Sequence, residues 1–141
     1  VKFRVFNIGS NLNVTINGLT ITNGSSGYGS GIFAATGSTL TVNNSTLSNN
    51  SADSDGGIRL FTTFSKATVS DSNLSGNTAT TSGGAISNLG GTVILNSNKF
   101  GTAVPSSTAN VASTGPNVAN LNGNTGSGND PSTCDASSGS Y

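Results

Sequence analysis

Apolar residues recur along this chain in a short alternating pattern that returns at a fixed distance. The segments Val14-Thr15-Ile16-Asn17-Gly18-Leu19-Thr20-Ile21, Leu40-Thr41-Val42-Asn43-Asn44-Ser45-Thr46-Leu47, Ala67-Thr68-Val69-Ser70-Asp71-Ser72-Asn73-Leu74 and Val93-Ile94-Leu95-Asn96-Ser97-Asn98-Lys99-Phe100 align with one another. Counted from Val14 to Leu40, Ala67 and Val93, successive units start 26, 27 and 26 residues apart. A second motif advances in step between them: Gly29-Ser30-Gly31-Ile32, Asp55-Gly56-Gly57-Ile58 and Gly83-Gly84-Ala85-Ile86.

Within each unit the first and third residues are apolar and the second is mostly Thr, the period-two alternation of a strand with one buried face. No stretch places apolar residues at i, i+3, i+4 and i+7, and Gly and Asn are too dense for a helix to survive their propensity cost. A β-sandwich would show strands unlike one another and hairpin turns roughly every 8 to 12 residues, whereas here whole units match. The pattern therefore predicts an all-β fold, a right-handed parallel β-helix (solenoid) of about four to five coils with 26–27 residues per coil.

If each unit is one coil, equivalent residues stack at the strand spacing of about 4.8 Å. Four buried columns follow: Val14, Leu40, Ala67 and Val93; Ile16, Val42, Val69 and Leu95; Ile21, Leu47, Leu74 and Phe100; and Ile32, Ile58 and Ile86 on the far wall. The same alignment puts Thr15, Thr41 and Thr68 outside in a row beside Asn17, Asn43, Ser70 and Asn96. The position Leu19, Ser45, Ser72, Asn98 suits a corner residue that bonds the turning backbone, and the paired glycines suit the opposite corner.

One period before Ile32 lies Phe6, so residues 1–10 are expected to supply part of an earlier coil, with an uncapped edge at Val1. Residues 11–104 form the regular coils, 105–124 an irregular last coil closed near Leu121-Asn122-Gly123-Asn124, and 125–141 a flexible tail or linker of Gly, Ser, Thr, Asn, Asp and Pro.

Composition narrows the chemistry. Charged residues make up 7% of the chain, far below the roughly 25% of an average domain, and five basic residues balance five acidic ones. Lys2, Arg4, Arg59, Lys66 and Lys99 are dispersed, which offers no footprint for nucleic acid, and no apolar run is long enough for a membrane span. Cys134 is the single cysteine, so an internal disulfide is excluded.

At this level the repeats resemble the polymorphic outer membrane protein repeats of chlamydiae and the related β-helix repeats of large bacterial surface proteins. The signatures of that family are Gly-Gly-Ala-Ile and Phe-x-x-Asn. Gly83-Gly84-Ala85-Ile86 matches the first, with Gly31-Ile32 and Gly57-Ile58 as partial copies. Leu47-Ser48-Asn49-Asn50 and Leu74-Ser75-Gly76-Asn77 match the second with Leu for Phe, whereas Ile21 and Phe100 lack the Asn. The resemblance covers roughly residues 11 to 104. It implies a secreted or surface-displayed β-helix, often a passenger segment in adhesion, and carries over no catalytic residue.

Other β-helices cleave polysaccharides with several carboxylates, paired with a base or a second acid. The only close acidic pair here is Asp53 and Asp55, with Arg59 four residues on, in a corner that turn chemistry alone explains. No catalytic residue, cofactor or metal site is expected. Asn13, Asn23, Asn43, Asn44, Asn49 and Asn73 each open an Asn-x-Ser/Thr sequon, a frequent coincidence in a chain of this composition.

The leading expectation is a non-enzymatic extracellular structural or adhesive β-helix, a homo-oligomer or polymer joined through its solenoid ends into a surface fibre, sheath or stalk and meeting a host-cell or carbohydrate surface. The alternative is a secreted carbohydrate-binding or carbohydrate-cleaving β-helix with a ligand groove at Asp55, Arg59 and Phe61. An ice-binding solenoid using the Thr row is a minor alternative, since Ile94 interrupts that row.

Overall fold

In the computed structural model, residues 1–62, 64–101, 110, 118–120 and 124–127 are described, the side chains of 119, 120 and 124–127 excepted. The chain is a parallel β-helix of about four turns. Each full turn lays one strand into each of four parallel sheets. The first sheet contains β2 (Asn13–Asn17), β6 (Thr39–Asn43), β10 (Lys66–Ser70), β14 (Thr92–Asn96) and β17 (Asn124–Ser127). After a corner come β3 (Thr20–Thr22), β7 (Thr46–Ser48), β11 (Asn73–Ser75) and β15 (Lys99–Phe100), then β4 (Ser25–Tyr28), β8 (Ser51–Ser54) and β12 (Thr78–Ala79). The glycine corner leads into the far wall of β1 (Phe6–Ile8), β5 (Ile32–Ala34), β9 (Ile58–Leu60), β13 (Ile86–Asn88) and β16 (Val118–Asn120).

Register follows the sequence repeat residue for residue. Val14, Leu40, Ala67 and Val93 are mutual partners, as are Ile16, Val42, Val69 and Leu95. Ile21, Leu47, Leu74 and Phe100 form the next column, and Ile32, Ile58 and Ile86 the one on the far wall. All but Val14, which is half-buried, are closed to solvent. Phe6 extends the far-wall column on one side and Val118 on the other.

The repeat alignment leaves out a further column on the same wall, Ile8, Ala34 and Leu60, which lies two residues beyond Phe6, Ile32 and Ile58 and so faces inward as well. Strand β17 also carries pairing to Ser127, three residues past the expected edge of the domain at Asn124. Residues 128–141, with Cys134, lie outside the described residues.

Two polar ladders hold the corners. Asn50, Asn77 and Asn110 are buried one above another. Each side-chain amide donates to a backbone carbonyl of the preceding turn: Asn50 Nδ2 to Ile21 O (3.1 Å), Asn77 Nδ2 to Leu47 O (2.9 Å) and Asn110 Nδ2 to Leu74 O (2.8 Å). Their side-chain oxygens accept from the backbone N–H groups of Gly24, Asn50 and Asn77 respectively. Buried backbone groups that the turning chain cannot pair are thereby satisfied. Gly24 stands where an Asn would stand in the first turn, and a Cβ there would lie 2.2 Å from Ser30 O.

The second ladder uses the expected corner position: Leu19, Ser45 and Ser72 N–H groups donate to the side-chain oxygens of Ser45, Ser72 and Asn98. Left-handed backbone recurs at these corners in Asn23, Asn44, Asn49, Asp71 and Ser97, where a short polar side chain limits the cost of positive φ. Three sequon asparagines, Asn23, Asn44 and Asn49, thus have a backbone role. The glycine corner is tight because coils touch backbone to backbone. A Cβ on Gly57 would sit 2.2 Å from Ala85 O.

Replacing Asn77 with Ala leaves the Asn50 N–H and the Leu47 carbonyl buried without this partner. Chemical denaturation should show a loss of about 2–6 kcal/mol, at roughly 1–3 kcal/mol for each of the two orphaned groups, while the exposed substitution Thr15→Ala stays within about 0.5 kcal/mol. Equal effects of the two substitutions would contradict the ladder.

Candidate functional site

Because alternate residues of a strand point outward, the far wall presents Asn7, Phe33 and Arg59 in register on its outer side. Two neighbouring segments add to this strip. Arg4, just before β1, donates from Nε to Gly29 O (2.9 Å) and Tyr28 O (3.2 Å), from Nη2 to Tyr28 O (2.6 Å) and from Nη1 to Asn7 Oδ1 (2.8 Å). So held, its guanidinium lies 4.4 Å from the centre of the Phe33 ring. Arg59 sits between Tyr28 and Phe61, 4.8 Å from the first ring centre and 5.4 Å from the second. Phe33 and Phe61 are in tilted contact at 5.8 Å. The result is a strip of alternating guanidinium and aromatic groups running along the solenoid axis. Each cation–π contact contributes about 0.5–2 kcal/mol, depending on its exposure.

Beneath the strip lies Asp55, which is 1% exposed and accepts a hydrogen bond from Arg59 Nη1. Its φ of 67° matches those of its equivalents Gly29 (51°) and Gly83 (65°) in the adjoining turns. The turn itself therefore does not require a carboxylate. Four residues after these glycines stand Phe33 and Ser87, so the Asp55–Arg59 pair belongs to one coil only. Asp55 Oδ1 and Arg59 Nε are buried without a hydrogen-bond partner, which makes the pair a poor source of stability. Burial first, and then the like charge of Arg59, lower the Arg4 pKa from its ordinary value.

The groove expected at Asp55, Arg59 and Phe61 is assembled as a cluster, but its members sit at different depths. Phe61 is exposed, Arg59 is mostly covered and Asp55 is sealed underneath. Asp53, its neighbour in sequence, is exposed and lies 3.7 Å from Lys2. Arg4, Tyr28 and Phe33 are the members that sequence reasoning missed. A signal existed for Phe33, which occupies the same place after Ile32 as Arg59 does after Ile58. No repeat position marks Arg4 or Tyr28.

Elsewhere, Asn44, Asp71 and Ser97 with Thr46, Asn73 and Lys99 line a shallow polar groove beside the Ser/Asn corner. On the first sheet Thr15, Thr41 and Thr68 stand in line with the exposed Ile94. No described helix is long and apolar enough to cross a membrane. Fold and strip define the class of the molecule as a parallel β-helix with one chemically distinct outer face. Comparison with family models, with curated proteins and with solved structures gives no match for the chain.

Changing Arg59 to Ser leaves Asp55 buried without its cation, which should cost about 3–5 kcal/mol in urea unfolding. The double change Asp55→Gly with Arg59→Ser copies the Gly83…Ser87 turn and should return to within about 1 kcal/mol of the parent. A double variant as unstable as the single one contradicts the view that the ion pair is dispensable to the fold.

Proposed function

We propose that this chain is a non-enzymatic structural or adhesive β-helix of an extracellular fibre, sheath or stalk, in which coils stack on further coils through their strand edges. The observation that carries the reading is the edge formed by β2 and β3. Both strands are paired on one side only, by β6 and β7, among the described residues. Leu12 and Leu19 are exposed there, and Val14 is the half-covered member of an otherwise closed column. A further coil laid on this edge would pair the free backbone groups and bury these side chains, the same transaction that joins every inner turn.

The neighbouring edge of β4 is different, since Phe3 bridges antiparallel to Ser25 and its carbonyl accepts from the Ser25 N–H at 2.8 Å. Support also comes from the likeness to bacterial surface repeats, because both motifs have a physical use here. Gly-Gly-Ala-Ile builds the tight corner, and Leu-x-x-Asn delivers Asn50 and Asn77 to the buried ladder. Ser, Thr and Asn on the outer faces give a neutral polar surface suited to a passive wall.

Sedimentation velocity across a concentration series, with electron microscopy of the concentrated sample, tests the proposal. Concentration-dependent assemblies that lengthen along one axis are expected, and Val14→Lys on the open column should reduce them. A chain that stays monomeric at high concentration, with slow amide exchange in β2 and β3, would overturn it.

A further inference from the structure

We propose that the outer strip of Arg4, Tyr28, Phe33, Arg59 and Phe61 binds an acidic polysaccharide, with Arg4 taking the anionic group and the rings of Tyr28 and Phe61 taking the sugar faces. The inference goes beyond a stacking role, because the stack has no need of these residues. In adjoining turns the Asp55 and Arg59 positions are filled by Gly29 with Phe33 and by Gly83 with Ser87.

Three observations specify the ligand. First, the buried Asp55 pairs with Arg59, whereas Arg4 makes no ion pair among the described residues and its pKa is depressed by burial and by Arg59, so an anion at Arg4 relieves an existing repulsion. Second, the guanidinium of Arg4 is fixed in place by Tyr28 O, Gly29 O and Asn7 Oδ1. Of its five N–H donors, three are engaged, at Nε, Nη1 and Nη2, so one remains on each Nη to meet a planar carboxylate. Third, Tyr28 and Phe61 are 55% and 42% exposed, with Arg59 against one side of each ring. An open ring face carries the negative end of the aromatic quadrupole and attracts the C–H face of a sugar.

The fold itself separates this ligand from others. Backbone groups of β5 are already paired on both sides, by β1 and β9, so a peptide cannot add here as a strand. Single-stranded nucleic acid needs a cationic groove that follows its backbone, whereas the chain is neutral overall and one of the strip's two cations is neutralised by Asp55. A linear acidic polysaccharide lying along the axis would meet Arg4, then Tyr28 and Phe33, then Arg59 and Phe61 on successive turns.

The test is biolayer interferometry of the full chain on immobilised polygalacturonate, dextran and poly(dT). Saturable binding to polygalacturonate is expected, with at least about tenfold weaker binding to the other two. Arg4→Ala and Tyr28→Ala should each weaken it by about tenfold or more, since each removes a direct contact. Lys66→Ala, which removes the same charge from an exposed position on another sheet, should leave it unchanged. Urea midpoints of the variants show whether the fold is kept, and the exposed ring of Tyr28 reads the same surface if Arg4→Ala does not fold. Absence of binding to polygalacturonate, equal binding to dextran, preferred binding to poly(dT), or a loss in Lys66→Ala equal to that in Arg4→Ala would each overturn the proposal.

Discussion

Equivalent residues of successive coils lie one strand spacing apart, about 4.8 Å, so every side chain inside the solenoid has to accommodate its own copies above and below. Apolar residues meet this condition by simple stacking, as Ile32, Ile58 and Ile86 do. Polar residues stacked in a ladder meet it where each both donates and accepts. Asparagine has that capacity, and the ladder of Asn50, Asn77 and Asn110 uses it fully at each step. At the glycine corner the turns approach so closely that a Cβ on Gly31 or Gly57 would fall 2.5 Å or 2.2 Å from a carbonyl oxygen of the next turn. Core, corners and glycines are three responses to one axial spacing.

Much of this could be read from the sequence because a solenoid repeats its constraint. A residue type that answers the spacing in one coil answers it in the next, so Val14, Leu40, Ala67 and Val93 disclose their column by recurrence alone, and Phe6 can be placed by counting back from Ile32. Recurrence fails where one position is filled from different places in the chain. Phe100 has no Asn three residues on, and the ladder is completed instead by Asn110, 33 residues after Asn77, a spacing that no period predicts. The column of Ile8, Ala34 and Leu60 escapes notice because it ends in the polar Asn88, which is buried and donates to Gly91 O.

The outer face obeys a different rule. Side chains there are not packed between copies of themselves inside the solenoid, so departures from the repeat are free to carry chemistry. Phe33 and Arg59 share one repeat position yet differ completely in character, and the contrast is what gives the far wall its strip. Asp55 and Arg59 were adjacent enough in sequence to suggest a groove. The depth of Asp55 could not be anticipated, because it follows from a left-handed turn that directs the carboxylate under the guanidinium. Arg4 and Tyr28 join the strip only through tertiary contacts between turns.

Everything above rests on parallel, in-register stacking of the coils. Its most direct test is a measurement of nuclear Overhauser contacts between isoleucine methyl groups in a chain with selectively labelled Ile. The account predicts contacts between Ile32 and Ile58 and between Ile58 and Ile86, with none directly from Ile32 to Ile86. A direct Ile32–Ile86 contact, or the loss of either neighbouring pair, would contradict the order of the coils and everything built upon it.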